Sequence, residues 1–371
     1  MKLVRSLKGC RPIAFTSNGI LLAKAYKLYI ANLDCTKLKF IMDVPHSLFI
    51  NAVQKSRVLE RTLRLGIRLG CAISEFEYLL AEKGRIWRLD LEICSLELDH
   101  YILNGSMPLS LSYIHDVQGF DDVACYGEYT GNPLKKPVSI WTSRNKGEWN
   151  IAFTFPEGAI NHIHAIIPDK KRGLVWVLTG DFENASGMWL ASDNFSSVIP
   201  LLIGKQEFRS CWLAFLGDRC IYATDSQLNT NSIRELVFHG EKSKEHPLGD
   251  KPSSDYIMDI SGSSIYSCMV QDQLVFSTTV EPGLPTGFKI YDLLLYKLGP
   301  GIKSNYSDLV IGNLESGFSV AGKWRKDKLP LRLCGFGSIQ FPTGYNPGHF
   351  LYAHFSGLLG CDGSMSLFEI I

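Results

Sequence analysis

Two histidines separated by one residue, in Asn161-His162-Ile163-His164, have the spacing in this chain that most directly suggests chemistry. The segment reads as a β-strand, and side chains at i and i+2 of a strand leave the same face. Both imidazoles therefore reach one space, where they can exchange protons or ligate a metal. Three carboxylates, Glu128, Asp181 and Asp225, fall at the ends of strand-like segments in the surrounding sequence. Acids from successive strand groups that converge on one opening can divide the acid and the base or nucleophile roles of glycosidic cleavage. These five residues are the expected catalytic set. Arg209 is expected to hold an anionic group of a sugar, the competing role being a buried ion pair with one of the acids. Tyr129, Asn132, Trp212 and Asn231, with Trp141, are the expected sugar contacts.

Each of these residues also has a plain structural role. Asp181 and Asp225 sit in turn-like contexts beside threonines, where a carboxylate caps backbone N–H groups. Paired histidines can be satisfied by backbone carbonyls, and aromatic residues on strands are more often core. A divalent metal at His162 and His164 would need further ligands, and nothing in the sequence brings His46, His115 or His349 close. No cofactor is therefore expected. The phosphate-binding G-x-x-x-x-G-K-[ST], the nucleophile elbow G-x-S-x-G and the zinc-protease H-E-x-x-H are all missing.

Strands must carry these side chains, and strand-like runs recur in seven groups. They are 20–25, 27–33 and 39–44; 69–75, 78–82 and 85–91; 123–128, 138–142 and 149–155; and 162–167, 173–179 and 187–191. The series continues with 210–216, 219–224 and 232–238; 264–269, 273–279 and 288–296; and 337–341, 350–355 and 364–370. A period of about 40–55 residues with three or four strands matches a propeller blade. The expected fold is all-β: one β-propeller domain over residues 1–371, with seven four-stranded antiparallel blades and six as the alternative. The site would lie at one mouth of its channel, lined by blades three to five. Residues 56–69 admit a basic amphipathic helix, but the alternation Leu63-Arg64-Leu65-Gly66-Ile67-Arg68-Leu69 predicts a strand or turn–strand. The charged run 241–251 reads as a solvated loop.

Composition narrows the function classes. Lys+Arg 38 against Asp+Glu 37 leaves no basic surface for a general nucleic-acid binder, and a hydrophobic fraction of 46% suffices for a sizeable core. The ten cysteines are scattered without a C-x-x-C pair, several inside apolar runs, which suits a reducing compartment better than a disulfide framework. Lys2, Arg5 and Lys8 are followed by Gly9-Cys10-Arg11-Pro12, which is no signal-peptide core. No run approaches the ~18 apolar residues of a membrane span. The expectation is a soluble, cytoplasmic chain with an oligosaccharide or polysaccharide partner and an oligomeric state that the residues do not specify.

In Ser143-Arg144-Asn145-Lys146-Gly147-Glu148-Trp149, a small polar residue, an Asn, a Gly and a Trp fall at hairpin offsets. The pattern resembles the Asp-box S-x-D-x-G-x-T-W, with Asn145 in place of the acid and Glu148 in place of the Thr. A second, weaker copy is Ala191-Ser192-Asp193-Asn194-Phe195-Ser196-Ser197. A capping side chain, a Gly at positive φ and a Trp anchor are what such a turn needs. Gly127-Glu128-Tyr129, His162-Ile163-His164, Thr179-Gly180-Asp181, Arg209 and Thr224-Asp225 recur in this order in sialidase-like (BNR, Asp-box) propellers associated with bacterial surface polysaccharides. The resemblance covers residues 128–231. It implies a propeller acting on a bacterial polysaccharide by glycoside hydrolase or lyase-type chemistry; the alternative is a non-catalytic glycan- or protein-binding scaffold in polysaccharide biosynthesis. A true sialidase fits less well: Cys10-Arg11-Pro12-Ile13 only loosely echoes its Arg-Ile-Pro segment, and two of its three arginines have no counterpart.

Overall fold

The computed structural model describes residues 1–240, 248–287 and 289–370. Among them lie seven four-stranded sheets, and in six the strands follow one another in chain order. The fold is a seven-bladed β-propeller of antiparallel blades, so the six-blade alternative is set aside. Contacts group the chain into two compact units, Met1–Glu97 with Ser261–Ile371, and Leu98–Ile260.

The first unit holds the sheets that begin with Arg11–Thr16, Leu69–Ala72, Tyr266–Val270 and Ser338–Gln340. The last of these is completed out of order. Lys2–Lys8 pairs antiparallel with Ser364–Glu369, Lys2 opposite Glu369 and Lys8 opposite Ser364. Ile13, Leu21, Leu28, Leu80 and Trp87 form one core of this unit, and Val275, Leu309, Ile339 and Phe355 another.

The second unit holds three sheets, which begin with Ser112–Ile114, His162–Asp169 and Ala214–Leu216. The middle sheet shows why the pattern reads as it does. Its second strand, Leu174–Gly180, is buried along its whole length. Val175 and Val177 pack with Cys125, Ile140 and Phe155 of the preceding sheet, while Trp176 and Leu178 pack with Tyr222 and Leu236 of the following one. A strand covered on both faces is apolar at every position. The outermost strand of the sheet, Ser197–Ile203, is fully buried only at Leu202 and keeps no such signature.

Buried tryptophans recur with a carboxylate partner. Indole N–H is a donor that needs an acceptor once buried. Trp87 donates to Glu82 at 2.9 Å, Trp141 to Glu128 at 3.0 Å, Trp149 to Asp99 at 2.7 Å and Trp176 to Asp169 at 3.2 Å. The Ser143–Trp149 hairpin uses this device. Gly147 takes φ +73° and Trp149 is buried, but the Gly147 N–H is capped by Asp99 at 3.1 Å, while the Asn145 amide bonds Glu148 at 2.9 Å.

Two segments differ from the sequence reading. Residues 57–63 form a helix, Arg57–Leu63, where a strand or turn–strand is predicted. Ser56 caps its N-terminus through Leu59 N–H, and Arg57 pairs with Glu60 at 2.8 Å one turn on. Arg61 is buried, joining Asp327 at 2.5 Å and Asp362 at 3.4 Å. The apparent alternation is the left-handed C-cap at Arg64 followed by buried Leu65 and Ile67 leading into the strand at Leu69. Within the predicted strand 288–296 the structure has a helix, Lys289–Leu294, and Phe288 lies outside the described residues. Asp292 turns back to accept from the N–H groups of Thr286 at 2.7 Å and Gly287 at 3.1 Å, which an extended segment does not allow. Of the charged run 241–251, residues 241–247 lie outside the described residues, and Asp250 and Lys251 begin the strand Asp250–Ile260. All ten cysteines are free. No helix among the described residues is long and apolar enough to cross a membrane.

Candidate functional site

In the second unit the strand His162–Asp169 carries both histidines. Pairing slips between Ile163 and Ala165, so His164 sits on a β-bulge, a device that re-aims a side chain. The ring then lies against Gly180, where an added Cβ would stand 2.3 Å from the imidazole Nε2. The two Nε2 atoms end 3.0 Å apart.

The other ring nitrogens fix the protons. His162 Nδ1 lies 2.9 Å from the Thr130 carbonyl and His164 Nδ1 3.1 Å from the Ser210 carbonyl. A carbonyl only accepts, so each Nδ1 donates, and each neutral ring turns an Nε2 lone pair to the other. Asp181 Oδ1 faces the same point, 3.2 Å from His162 Nε2 and 3.5 Å from His164 Nε2. Three lone pairs at these separations repel unless a positive charge, a proton or a cation, stands among them.

Arg209 partly supplies that charge. It follows the 3-10 turn Gln206–Phe208, is buried, and reaches Asp181 Oδ1 at 2.8 Å and the Asp181 carbonyl at 3.0 Å. Its Nε is 3.4 Å from Asp225 Oδ2, and Asp225 is buried as well. Two carboxyl groups thus share one guanidinium. Burial by itself would raise the Asp181 carboxyl, but Arg209 and then the two histidines outweigh it and hold the group far below the usual carboxylate range. Burial, then the nearby Asp181, pushes the Tyr129 phenol well above its ordinary value, so it keeps its proton. The Tyr129 ring lies 4.4 Å from that of His162.

Two sets of donor atoms come close enough for a metal ion: His162, His164 and Asp181, and His164, Cys211 and Asp225. The second asks His164 to use Nδ1, which already donates to Ser210. The first leaves both Nε2 atoms free for a ligand while each Nδ1–H is held by backbone, the usual support of a metal-bound imidazole. A divalent cation held there would take two imidazole nitrogens and one carboxylate oxygen as ligands, a donor set within the range that Zn²⁺ and Mn²⁺ accept.

Of the residues picked from sequence, the structure brings His162, His164, Asp181, Arg209, Asp225 and Tyr129 together. Glu128 is used otherwise. It is buried, and its carboxylate accepts from Asn104 at 2.8 Å, Ser139 N–H at 2.9 Å and the Trp141 indole at 3.0 Å. Asn231 is buried and its amide ties the turn at Ser226, at 2.6 and 2.7 Å. Asn132 fastens its own loop to Lys136, at 2.9 and 3.0 Å. Trp212 is half-buried beside Cys211. Sequence reasoning passed over Cys211, whose thiol is 3.4 Å from both His164 Nδ1 and Asp225 Oδ2, and Asn161, whose side chain receives the Asp181 N–H at 3.2 Å. The adjacency of Asn161 to the histidine pair was the available signal.

Glu128→Gln tests the holding role. An amide presents an N–H to one of three donors, so stability to urea is expected to fall by about 1–3 kcal/mol, with any response of the histidine cluster to added divalent cation within twofold of the unchanged chain. Unchanged stability would show that the three donors do not depend on the carboxylate, and would release Glu128 for the site.

No family model and no curated protein sequence matches the chain. Solved structures similar to it over its whole length include the β-propeller domain of Myceliophteria thermophila Cps50 (Swd1), with TM-score 0.59, 9% identity and 99% of that chain covered. An oligogalacturonate lyase in complex with manganese has TM-score 0.57 at 8% identity, again with 99% of its chain covered. A chain of the mitotic checkpoint complex has TM-score 0.54 at 8% identity, with 95% covered. At these identities the likeness establishes the propeller scaffold and nothing finer.

Proposed function

We propose that the second unit carries a carbohydrate-active site, and that its chemistry is of the lyase type on an acidic polysaccharide, with a divalent cation held by His162, His164 and Asp181. The convergence of both Nε2 atoms and Asp181 Oδ1 within 3.0–3.5 Å carries this reading. Hydrolysis by paired carboxylates needs two acids that flank the scissile bond. Here Asp225 is 3% exposed and tied to Arg209, and Glu128 is saturated by donors, so the pair is lacking. Elimination from a sugar acid takes the proton from the carbon beside the carboxylate, breaks the neighbouring carbon–oxygen bond and protonates the departing oxygen. It needs positive charge beside the sugar carboxylate, a base, here water reaching the partly exposed edge at Asp181, and a protic group for the leaving oxygen. A bound divalent cation supplies Lewis-acid charge. Arg209 adds a second positive group, and Tyr129, which with Asp181 forms the partly exposed edge of the cluster, offers the proton. That one fold neighbour is a manganese-bound lyase of oligogalacturonate is consistent with this use of the scaffold.

The second reading is a glycan- or protein-binding propeller in polysaccharide assembly. It is favoured by the pairing of Asp181 with Arg209, the pattern of a settled ion network. Calorimetric titration of the chelator-stripped protein with MnCl2 and ZnCl2 separates the readings. One site per chain is expected, weakened more than about 100-fold in His162→Ala and Asp181→Asn, together with ultraviolet-absorbing unsaturated products from acidic oligosaccharides. Cation binding that ignores both substitutions overturns the metal site; binding without turnover on any acidic oligosaccharide favours the scaffold.

A further inference from the structure

The first unit contains a second concentration of charge with the opposite imbalance. A cavity of about 140 Å³ is lined by Lys8, Arg11, Arg57, Glu60, His354 and Asp362, among others. Its two acids are already engaged. Arg57 meets Asp362 at 2.9 Å and Glu60 at 2.8 Å, and Asp362 also faces Arg61 at 3.4 Å. Arg11 has no such partner. It is buried, it donates to the neutral Gln340 amide oxygen, and no carboxylate among the described residues pairs with it. The Arg68 guanidinium nearby donates to the Leu65 carbonyl at 3.4 Å, and no carboxylate among the described residues pairs with it. His354 is 2% exposed; its Nδ1 donates to the Cys10 carbonyl at 2.9 Å, and its Nε2 has no partner among the described residues.

Buried guanidinium without a counter-charge is costly, and natural interiors pair it. Burial, Arg68 and Arg57 together bring Arg11 down to about 9, and burial, then Arg11 and Arg57, holds His354 well below its ordinary value. Both shifts describe a pocket short of negative charge. The space equals about four to five water volumes, the size of a tetrahedral oxyanion. Planar guanidinium forks fit phosphate oxygens in pairs. With its Nδ1–H held by the Cys10 carbonyl, His354 turns an Nε2 lone pair to the space, so it completes the cradle by accepting from a P–OH or by taking up a proton together with the anion.

We propose that this cavity is an oxyanion-binding site in which Arg11 and His354, backed by Arg57 and Lys8, hold a phosphate group, free or at the end of a larger molecule. It is separate from the cation site of the second unit and does not depend on the reading given to that site.

Thermal unfolding of the full chain in phosphate-free buffer, with inorganic phosphate or glycerol phosphate added against NaCl of equal ionic strength, tests it. Saturating phosphate is expected to raise Tm by about 2–6 °C. Arg11→Gln is expected to lose that rise and, with the repulsion removed, to match or exceed the unchanged chain in phosphate-free buffer. A response to inorganic phosphate alone marks a free ion, and a response to both a terminal phosphoryl group. If Arg11→Gln does not fold, His354→Phe keeps the fold's bulk and should still lower the phosphate response at least fivefold in concentration. No rise beyond the salt control, or a rise unchanged in both variants, overturns the proposal.

Discussion

Asp169→Ala is expected to lower the free energy of unfolding by about 3–5 kcal/mol, the range for stranding one member of a buried ion pair. Asp169 and Arg172 have side chains 1% and 2% exposed, 2.9 Å apart. The same carboxylate takes the Trp176 indole N–H at 3.2 Å and the Arg172 backbone N–H at 3.3 Å. With the carboxylate gone, the guanidinium keeps the ring faces of Phe238, 4.7 Å away, and Phe215, 5.8 Å away, and among the described residues the Gly217 carbonyl at 3.2 Å is its remaining acceptor. Ring faces attract the cation but return about 2 kcal/mol at most. Urea unfolding at constant slope measures the loss. Asp169→Ala with Arg172→Met should regain at least half, since two apolar groups leave no stranded charge. A single-substitution loss under about 1 kcal/mol would show the pair to be solvated in practice.

Arg209→Met should be comparably damaging in metal-free buffer, again about 3–5 kcal/mol, and should respond to metal in the opposite sense. Removing the guanidinium leaves Asp225 with the Cys211 thiol at 3.4 Å and deprives Asp181 of its closest partner at 2.8 Å. The site gains net negative charge, so Mn²⁺ should stabilise the variant more than the unchanged chain, shifting its urea midpoint further. Adding Asp225→Asn should recover stability without metal. If Mn²⁺ stabilises both proteins equally, the histidines and Asp181 are not its site.

Burial on both faces made some strands legible, but Tyr306–Asn313, buried at six of its eight positions, went unread. Leu174–Gly180 announces itself because each face packs on a different sheet. Outer strands such as Ser197–Ile203 and Gly317–Arg325 alternate poorly, being half solvated, and went unread. Arg57–Leu63 was misread because its Arg-rich periodicity serves ion pairs with Asp327 and Asp362, partners that no local pattern reveals. At the site, residue type and strand-end position found the histidines, Asp181 and Arg209. Glu128 has the same type and position, but whether a carboxylate faces a neighbour's indole or an open edge is decided by Trp141 across the sheet, not by its own segment.

The pairing of Lys2–Lys8 with Ser364–Glu369 has a consequence for the chain as it is made. At about 5–20 residues per second, the first strand waits on the order of 20–70 s for its partner to leave the ribosome. For that interval it is an orphan edge, a template for any other nascent chain. Lys2, Arg5 and Lys8 punctuate it, and like-charge repulsion between two such segments keeps ribosome neighbours from zipping together before residue 364 arrives.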